Sequence, residues 1–213
     1  MAEAVLQGGQ TFLDINSVSP RTKQHGQRCI EDAGGHYVEA AVMAPVPPYG
    51  LAVPMLLAGA HAEAVAEQLC ALGADARAVS TQVGIASAAK MCRSAMVKGI
   101  EALTVECLSA ARYYQAEATV LASLRETLAK LQHDVDLPGY LISRVAEHGR
   151  RRAAEMREVA QTLRDAGIDP LMSEACAQRQ DNLVDAMEAL DIRYDSSAPF
   201  VWQNLLDALR AGQ

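Results

Sequence analysis

The chain has 213 residues, half of them hydrophobic, and it carries a formal net charge of −7 at pH 7 with a pI near 5.2. The length suits one large domain or two small ones, and the acidic balance argues against a general nucleic-acid binder. The five cysteines form no CxxC pair, which argues against a metal centre and favours a reducing cytoplasm, and neither a signal peptide nor an apolar stretch of about 18 residues predicts membrane insertion.

The first part of the sequence alternates between strand and helix patterns. Buried strands are predicted over residues 11–15, 37–43, 53–58 and 76–80, and helices over 20–32 and 62–72. Ser19 and Pro20 are typical of the N-cap and of the first position of a helix. Segment 44–50 holds three prolines and is predicted to be irregular. This alternation indicates an α/β layer.

After Gly84 the pattern becomes helical throughout. Helices are predicted from residue 85 to beyond 114, and over 117–132, 138–166, 171–190 and 199–211. We therefore expect a mixed, predominantly helical fold: a partial Rossmann-type α/β part over residues 1–82 and an all-α domain over residues 83–213. The long helix after Gly84 has more apolar side chains than a small α/β layer can cover, which favours a homodimer.

Lys90 lies near the start of that long helix, just after the fourth predicted strand. Ser94 follows one turn later, so both side chains share a face that could hold a hydroxyl-bearing substrate. On spacing alone, the better interpretation is a lysine whose stem packs on the helix while its ammonium reaches water.

Three segments, in order, resemble motifs of the β-hydroxyacid dehydrogenase family, which includes 3-hydroxyisobutyrate and 6-phosphogluconate dehydrogenases. Residues 14–20, Asp-Ile-Asn-Ser-Val-Ser-Pro, resemble the family's Asp-x-Ser-Thr-x-x-Pro loop. Residues 39–45 lie where the family has Asp-Ala-Pro-Val-Ser-Gly-Gly. Residues 84–94 resemble its Gly-x-x-Gly-x-Gly-x-x-x-Lys-x-x-x-Asn helix. The variant motifs are most similar to an NAD-binding, phosphogluconate-dehydrogenase-like sub-branch.

The resemblance implies hydride transfer between NAD or NADP and a small hydroxy acid, with Lys90 as general acid and base. It places the cofactor near Asn16, Ser17, Pro20 and Gly84. It places the substrate near Met43, Ala44, Pro45, Arg93 and Ser94. Two departures leave the substrate open: Ser94 replaces the family's asparagine, and residues 43–45 replace its Ser-Gly-Gly. It also implies pairing through the helical domain; no metal, nucleic acid or membrane partner is expected.

The sequence contains no Gly-x-Gly-x-x-Gly phosphate loop. We therefore expect that the chain lacks the N-terminal half of the dinucleotide-binding domain, either as a shortened product or through true loss of cofactor binding. Two alternatives stay open: a non-catalytic helical module for oligomerisation or binding that has lost the cofactor fold, and a plain helical interaction protein.

Overall fold

A computed structural model describes residues 8–132 and 136–212 of the chain. The strands are β1 (Thr11–Asp14), β2 (His36–Val42), β3 (Met55–Ala58) and β4 (Ala76–Ser80). The helices are α1 (Pro20–Asp32), α2 (Val46–Tyr49), α3 (Ala62–Ala71), α4 (Ile85–Tyr113), α5 (Glu117–Gln132), α6 (Leu137–Asp165), α7 (Leu171–Ala189) and α8 (Trp202–Ala211). The predicted fold class is confirmed: a partial Rossmann-type α/β part is followed by an all-α part.

The chain divides within α4 into two compact units, Met1–Lys98 and Gly99–Gln213. We call them the α/β unit and the helical unit. The division falls later than the change from strands to helices, so the first turns of α4 belong to the α/β unit. The domain assignment 1–82 and 83–213 stays a prediction.

The sheet of the α/β unit has the order β1-β2-β3-β4. β1 pairs in parallel with β2 and β3 pairs in parallel with β4, but β2 and β3 are antiparallel. The antiparallel pair follows from the short connection between them, which contains α2 and a 3-10 turn over Gly50–Ala52 and no crossover helix.

The alternating side chains of β2 divide the core of the α/β unit into two faces. Val38 and Ala40 point to one face, where they pack with Leu57 and with alanines of α3. Tyr37 and Ala41 point to the opposite face, where α1 and the start of α4 complete the packing. Glu39 lies between Tyr37 and Ala41 on this second face, and its side chain reaches the start of α4.

Three details of the predicted strands and loops are wrong. The first strand ends at Asp14, and Ile15 lies outside it with 57% of its surface exposed, because β1 is a half-exposed strand at the end of the described sheet. The third strand begins only at Met55. Segment 44–50 was expected to be irregular, but it contains the short helix α2, although Pro47 inside it keeps an extended conformation.

The helical unit is built on α6 and α7, which pack along each other, and α8 closes one end against α6. Its described core combines Ala146, Met187 and Leu205 with neighbouring partly buried side chains. Among the described residues, no helix is both long and apolar enough to cross a lipid bilayer.

Candidate functional site

The start of α4 is held by a buried carboxylate from the neighbouring sheet. Glu39 is fully buried, and its Oε1 accepts hydrogen bonds from the backbone N–H groups of Gly84 (2.6 Å) and Ala86 (3.1 Å). A carboxylate is favourable there because the first N–H groups of a helix have no partner within the helix. Strand β2 therefore fixes the N-terminus of the helix that carries Lys90.

Gly84 is required by both its conformation and its surroundings. Its φ of +110° lies in a region that L side chains rarely adopt. A Cβ placed on it would lie 2.9 Å from Gln24 Nε2 and 3.4 Å from Pro20 Cβ. The first turn of α1 therefore packs closely against the turn that precedes α4.

Lys90 contacts the loop that follows β1. Its Nζ donates a hydrogen bond to Ser17 Oγ at 2.6 Å. Ser17 is exposed and Lys90 is half-buried. Within residues 8–132 and 136–212, Lys90 forms no ion pair with an acidic side chain. Partial burial lowers the pKa of Lys90 below the ordinary lysine value, and the positive charge of Lys23 lowers it further.

A buried ion pair between Lys23 and Asp14 supports the same loop. The side chain of Lys23 is only 1% exposed; its Nζ lies 3.1 Å from Asp14 Oδ1 and donates a hydrogen bond to the Asp14 backbone oxygen at 2.7 Å. Tyr37 donates to Asp14 Oδ2 at 2.5 Å, and the backbone and amide nitrogens of Asn16 donate to Oδ1. The carboxylate of Asp14 therefore orders the turn that leads to Ser17.

These contacts shift two further pKa values. Burial opposes ionisation of Asp14, but hydrogen bonds from Tyr37, from the backbone of Asn16 and from Lys23 together lower the pKa of its carboxyl group. Burial raises the pKa of the Tyr37 hydroxyl well above its usual value, and the hydrogen bond to Asp14 raises it further. At neutral pH this network therefore contains an ionised Asp14 carboxylate and a neutral Tyr37 phenol.

The structure brings some of the predicted site residues into contact with each other. Others have no side-chain hydrogen bond or ion pair among the described residues. Lys90 meets Ser17, and Pro20 lies against Gly84. Asn16 turns its side chain back to Asp14.

The five predicted substrate residues fall into two groups. Met43 packs on the cluster formed by Ala41, Ala58 and Ala86, and Ala44 and Pro45 lead into α2. Arg93 and Ser94 lie on α4 beyond Lys90, and neither forms a side-chain hydrogen bond or ion pair within the described part of the chain. These assignments stay predictions.

Sequence reasoning missed Lys23 and Tyr37. A signal for Lys23 exists, because it lies seven residues before Ile30, so the two share the buried face of α1. A lysine at a core position of an amphipathic helix requires a carboxylate, and Asp14 ends the preceding strand. Tyr37 gives no comparable signal, since an aromatic residue in a buried strand is ordinary. The structure brings no group of three or more potential metal ligands together among the described residues.

Known proteins similar to this chain share most of its length. The domain of unknown function DUF1932 matches residues 111–183. A conserved hypothetical protein from Sinorhizobium meliloti 1021 is 38% identical, with a TM-score of 0.50 over 95% of this chain and 66% of its own. The conserved protein MTH1747, of unknown function and structurally similar to 3-hydroxyacid dehydrogenases, is 34% identical, with a TM-score of 0.52 over 82% of this chain and 66% of its own.

An uncharacterised 28.5 kDa protein of Methanothermus fervidus is 27% identical over 161 residues, which are 76% of this chain and 61% of that protein. The chain thus spans about two thirds of the length of its relatives or less. Its fold is also that of imine reductases: the enzyme from Myxococcus stipitatus in complex with NADP+ is 18% identical and superposes with a TM-score of 0.65 over 84% of this chain and 69% of its own.

The fold and the similar proteins together identify the family to which this chain belongs. A partial Rossmann-type sheet is followed by a helical part, and a long helix that begins at a buried carboxylate runs from one into the other. The chain belongs to the β-hydroxyacid dehydrogenase-like family.

Proposed function

We propose that the chain supplies the proton-transfer part of an NAD(P)-dependent oxidoreductase of the β-hydroxyacid dehydrogenase type, acting on a small hydroxy acid. The observation that carries this proposal is the contact between Lys90 Nζ and Ser17 Oγ at 2.6 Å, which joins two of the three resembling motifs. The desolvated ammonium of Lys90 lies beside an exposed hydroxyl and has no acidic partner among the described residues, so it is available for a ligand.

The residues present fit a nicotinamide dinucleotide only in part. The loop at Asn16 and Ser17, with Pro20 and Gly84 behind it, would meet the nicotinamide side of NAD or NADP. No glycine-rich turn within the 213 residues would bind the pyrophosphate. We therefore expect this chain by itself to bind either dinucleotide weakly.

Lys90 would handle the proton of the reaction. A dinucleotide bound at this loop would supply the hydride acceptor for oxidation of a CH–OH group, and the neutral amine of Lys90 would take up the hydroxyl proton. In the reverse direction, the ammonium of Lys90 returns that proton to the oxygen. A lowered pKa favours this role because it makes the neutral amine of Lys90 easier to form than that of an ordinary lysine. Arg93 and Ser94 would bind the carboxylate of the substrate, and residues 43–45 would border it.

The test compares two lysines of α4. The chain is assayed with millimolar NAD+ or NADP+ and a panel of small hydroxy acids, as wild type, Lys90→Ala and Lys98→Ala. We expect Lys90→Ala to lower turnover by at least about 100-fold, the usual scale for loss of a general acid–base. Lys98 is exposed on the same helix, so its variant should keep wild-type turnover. Equal turnover for wild type and Lys90→Ala would contradict the proposed role.

A second candidate function is a non-catalytic module for oligomerisation, and α5 is the observation that favours it. None of its 16 residues is buried, and Leu121, Leu124 and Leu128 are 37%, 40% and 61% exposed at a spacing that puts them on one face. An apolar stripe of this kind is typical of an interface. We propose a homodimer that covers this stripe, which is compatible with either function. No turnover with any substrate of the panel, together with a stable dimer, would favour the module.

A further inference from the structure

The helical unit contains a cavity of about 680 Å³ between α6, α7 and α8. Part of its lining is polar, from Cys176, Gln180 and Asn182. The larger aliphatic part is formed by Leu141, Ile142, Val145, Leu183, Leu206 and Leu209. Three of these side chains, Ile142, Leu183 and Leu209, pack on the described core of the unit. A volume of this size is in the range of small-molecule sites, and an aliphatic lining suits an alkyl group.

Two guanidinium groups, those of Arg179 and Arg210, also line this cavity. Among the described residues, no acidic side chain lines it. Within the described part of the chain, Arg179 forms no ion pair, and Arg210 has only an exposed neighbour, Asp207, at 3.6 Å. Arg179 therefore places in the lining a positive charge that no described protein group balances, and the exposed pair with Asp207 balances the charge of Arg210 only weakly.

We propose that this cavity binds a free medium-chain alkyl carboxylate, a single negative charge on an unbranched tail. The carboxylate would accept hydrogen bonds from Arg179, with Arg210 beside it, and arginine suits a carboxylate because its fork can donate two parallel hydrogen bonds. The tail would lie along the leucines and isoleucine of α6, α7 and α8.

Calorimetric titration of the full chain with sodium decanoate tests this site, below the micellar concentration of the ligand and at low salt. We expect one decanoate per chain, and we expect Arg179→Gln to weaken binding about tenfold through loss of a charge-assisted hydrogen bond. Arg77→Gln is the matched control, because Arg77 is an exposed arginine on β4 of the α/β unit. Octanol should bind more weakly than octanoate.

A second variant keeps the test decisive if Arg179→Gln misfolds. Ala186→Trp fills the cavity from α7 and should abolish decanoate binding while the circular dichroism stays helical. Absence of binding by the wild type would overturn the proposal, and so would equal affinity in Arg179→Gln and Arg77→Gln. Flotation of the chain with phosphatidylglycerol vesicles without binding of free decanoate would also overturn it, since the ligand would then be a membrane surface.

Discussion

Each compact unit contains a buried glutamate that holds the start of a helix, but the two carboxylates are paired differently. Glu39 uses only Oε1, and its buried Oε2 has no hydrogen-bond partner among the described residues. In the helical unit, Glu106 uses both oxygens: Oε1 accepts from the N–H of Met172, and Oε2 accepts from the N–H and the hydroxyl of Ser173. We infer that Glu106 has a purely structural role, since both its oxygens are paired. Glu39 is less completely paired, and the helix that it holds carries Lys90.

A second contrast concerns what each unit buries. Both units bury a glutamate, but the α/β unit also buries the ion pair of Lys23 with Asp14, alongside a small aliphatic core. The helical unit leaves aliphatic side chains exposed, most clearly along α5. Since burying a charge is costly unless it is paired, and exposing an apolar stripe is favourable only if a partner covers it, both features indicate a use beyond folding.

The largest effect should come from breaking the buried ion pair. Asp14→Asn leaves Lys23 buried without its carboxylate. We expect it to lower the free energy of unfolding at pH 7 by about 3 kcal/mol. This is the low end of the range for buried pairs, because Asp14 keeps some contact with water. The folded pKa of Asp14 is lowered, so its stabilisation is present above the unfolded pKa and is lost as pH falls through the folded value. The urea stabilities of wild type and variant should therefore begin to approach each other below about pH 4 and should meet only once the pH is below the folded pKa.

The control for that experiment is Asp32→Asn, at the exposed end of α1. It should change the free energy of unfolding little at any pH. If the gap between wild type and Asp14→Asn stayed constant down to pH 2, the pair would not be ionised as the structure indicates.

Glu106→Gln should be the next most harmful change. The substitution replaces one carboxylate oxygen with an NH2 group, which donates hydrogen bonds and cannot accept them. Either the N–H of Met172 or the N–H of Ser173 therefore loses its acceptor. We expect a loss of about 2 kcal/mol in the free energy of unfolding of the helical unit, measured by urea titration of its helical circular dichroism. Glu101→Gln, an exposed change on the same helix, should be nearly neutral. A neutral Glu106→Gln would show that the clamp is unnecessary.

A smaller effect is expected where the helical unit exposes its apolar stripe. Leu124→Glu should weaken self-association of the chain at least about tenfold, because a carboxylate would be buried without a partner in the interface. Ser123→Glu adds the same charge one residue away, outside the stripe, and should leave the dissociation constant nearly unchanged. Sedimentation equilibrium distinguishes the two, and equal dissociation constants would exclude α5 from the interface.

Glu39→Gln should have the smallest effect. The amide oxygen can still accept from Gly84 and Ala86, and the NH2 group takes the place of an oxygen that already lacks a partner. We expect less than about 1 kcal/mol of lost stability, less than for Glu106→Gln. A larger loss than in Glu106→Gln would reverse the comparison and show that the start of α4 needs a carboxyl group, not an amide, at residue 39.

Most of the fold was predictable because its signals are local. Ser19 does cap α1 through the N–H of Thr22, and the breaks around Pro138, Gly167 and Pro199 do separate helices. Hydrophobic period and turn chemistry act within a few residues, so they can be recognised in one sequence. The family was also recognisable, because its motifs are short runs in a fixed order.

The sequence by itself therefore determined the succession of elements, the class of fold and the position of Lys90 near the start of a long helix. Only the tertiary structure decided that β2 and β3 are antiparallel, that Lys90 meets Ser17, and that Lys23 is paired with Asp14 inside the unit. The physical reason is the range of the interactions: strand pairing and buried ion pairs join residues that are distant in the chain, and their geometry depends on how whole elements pack.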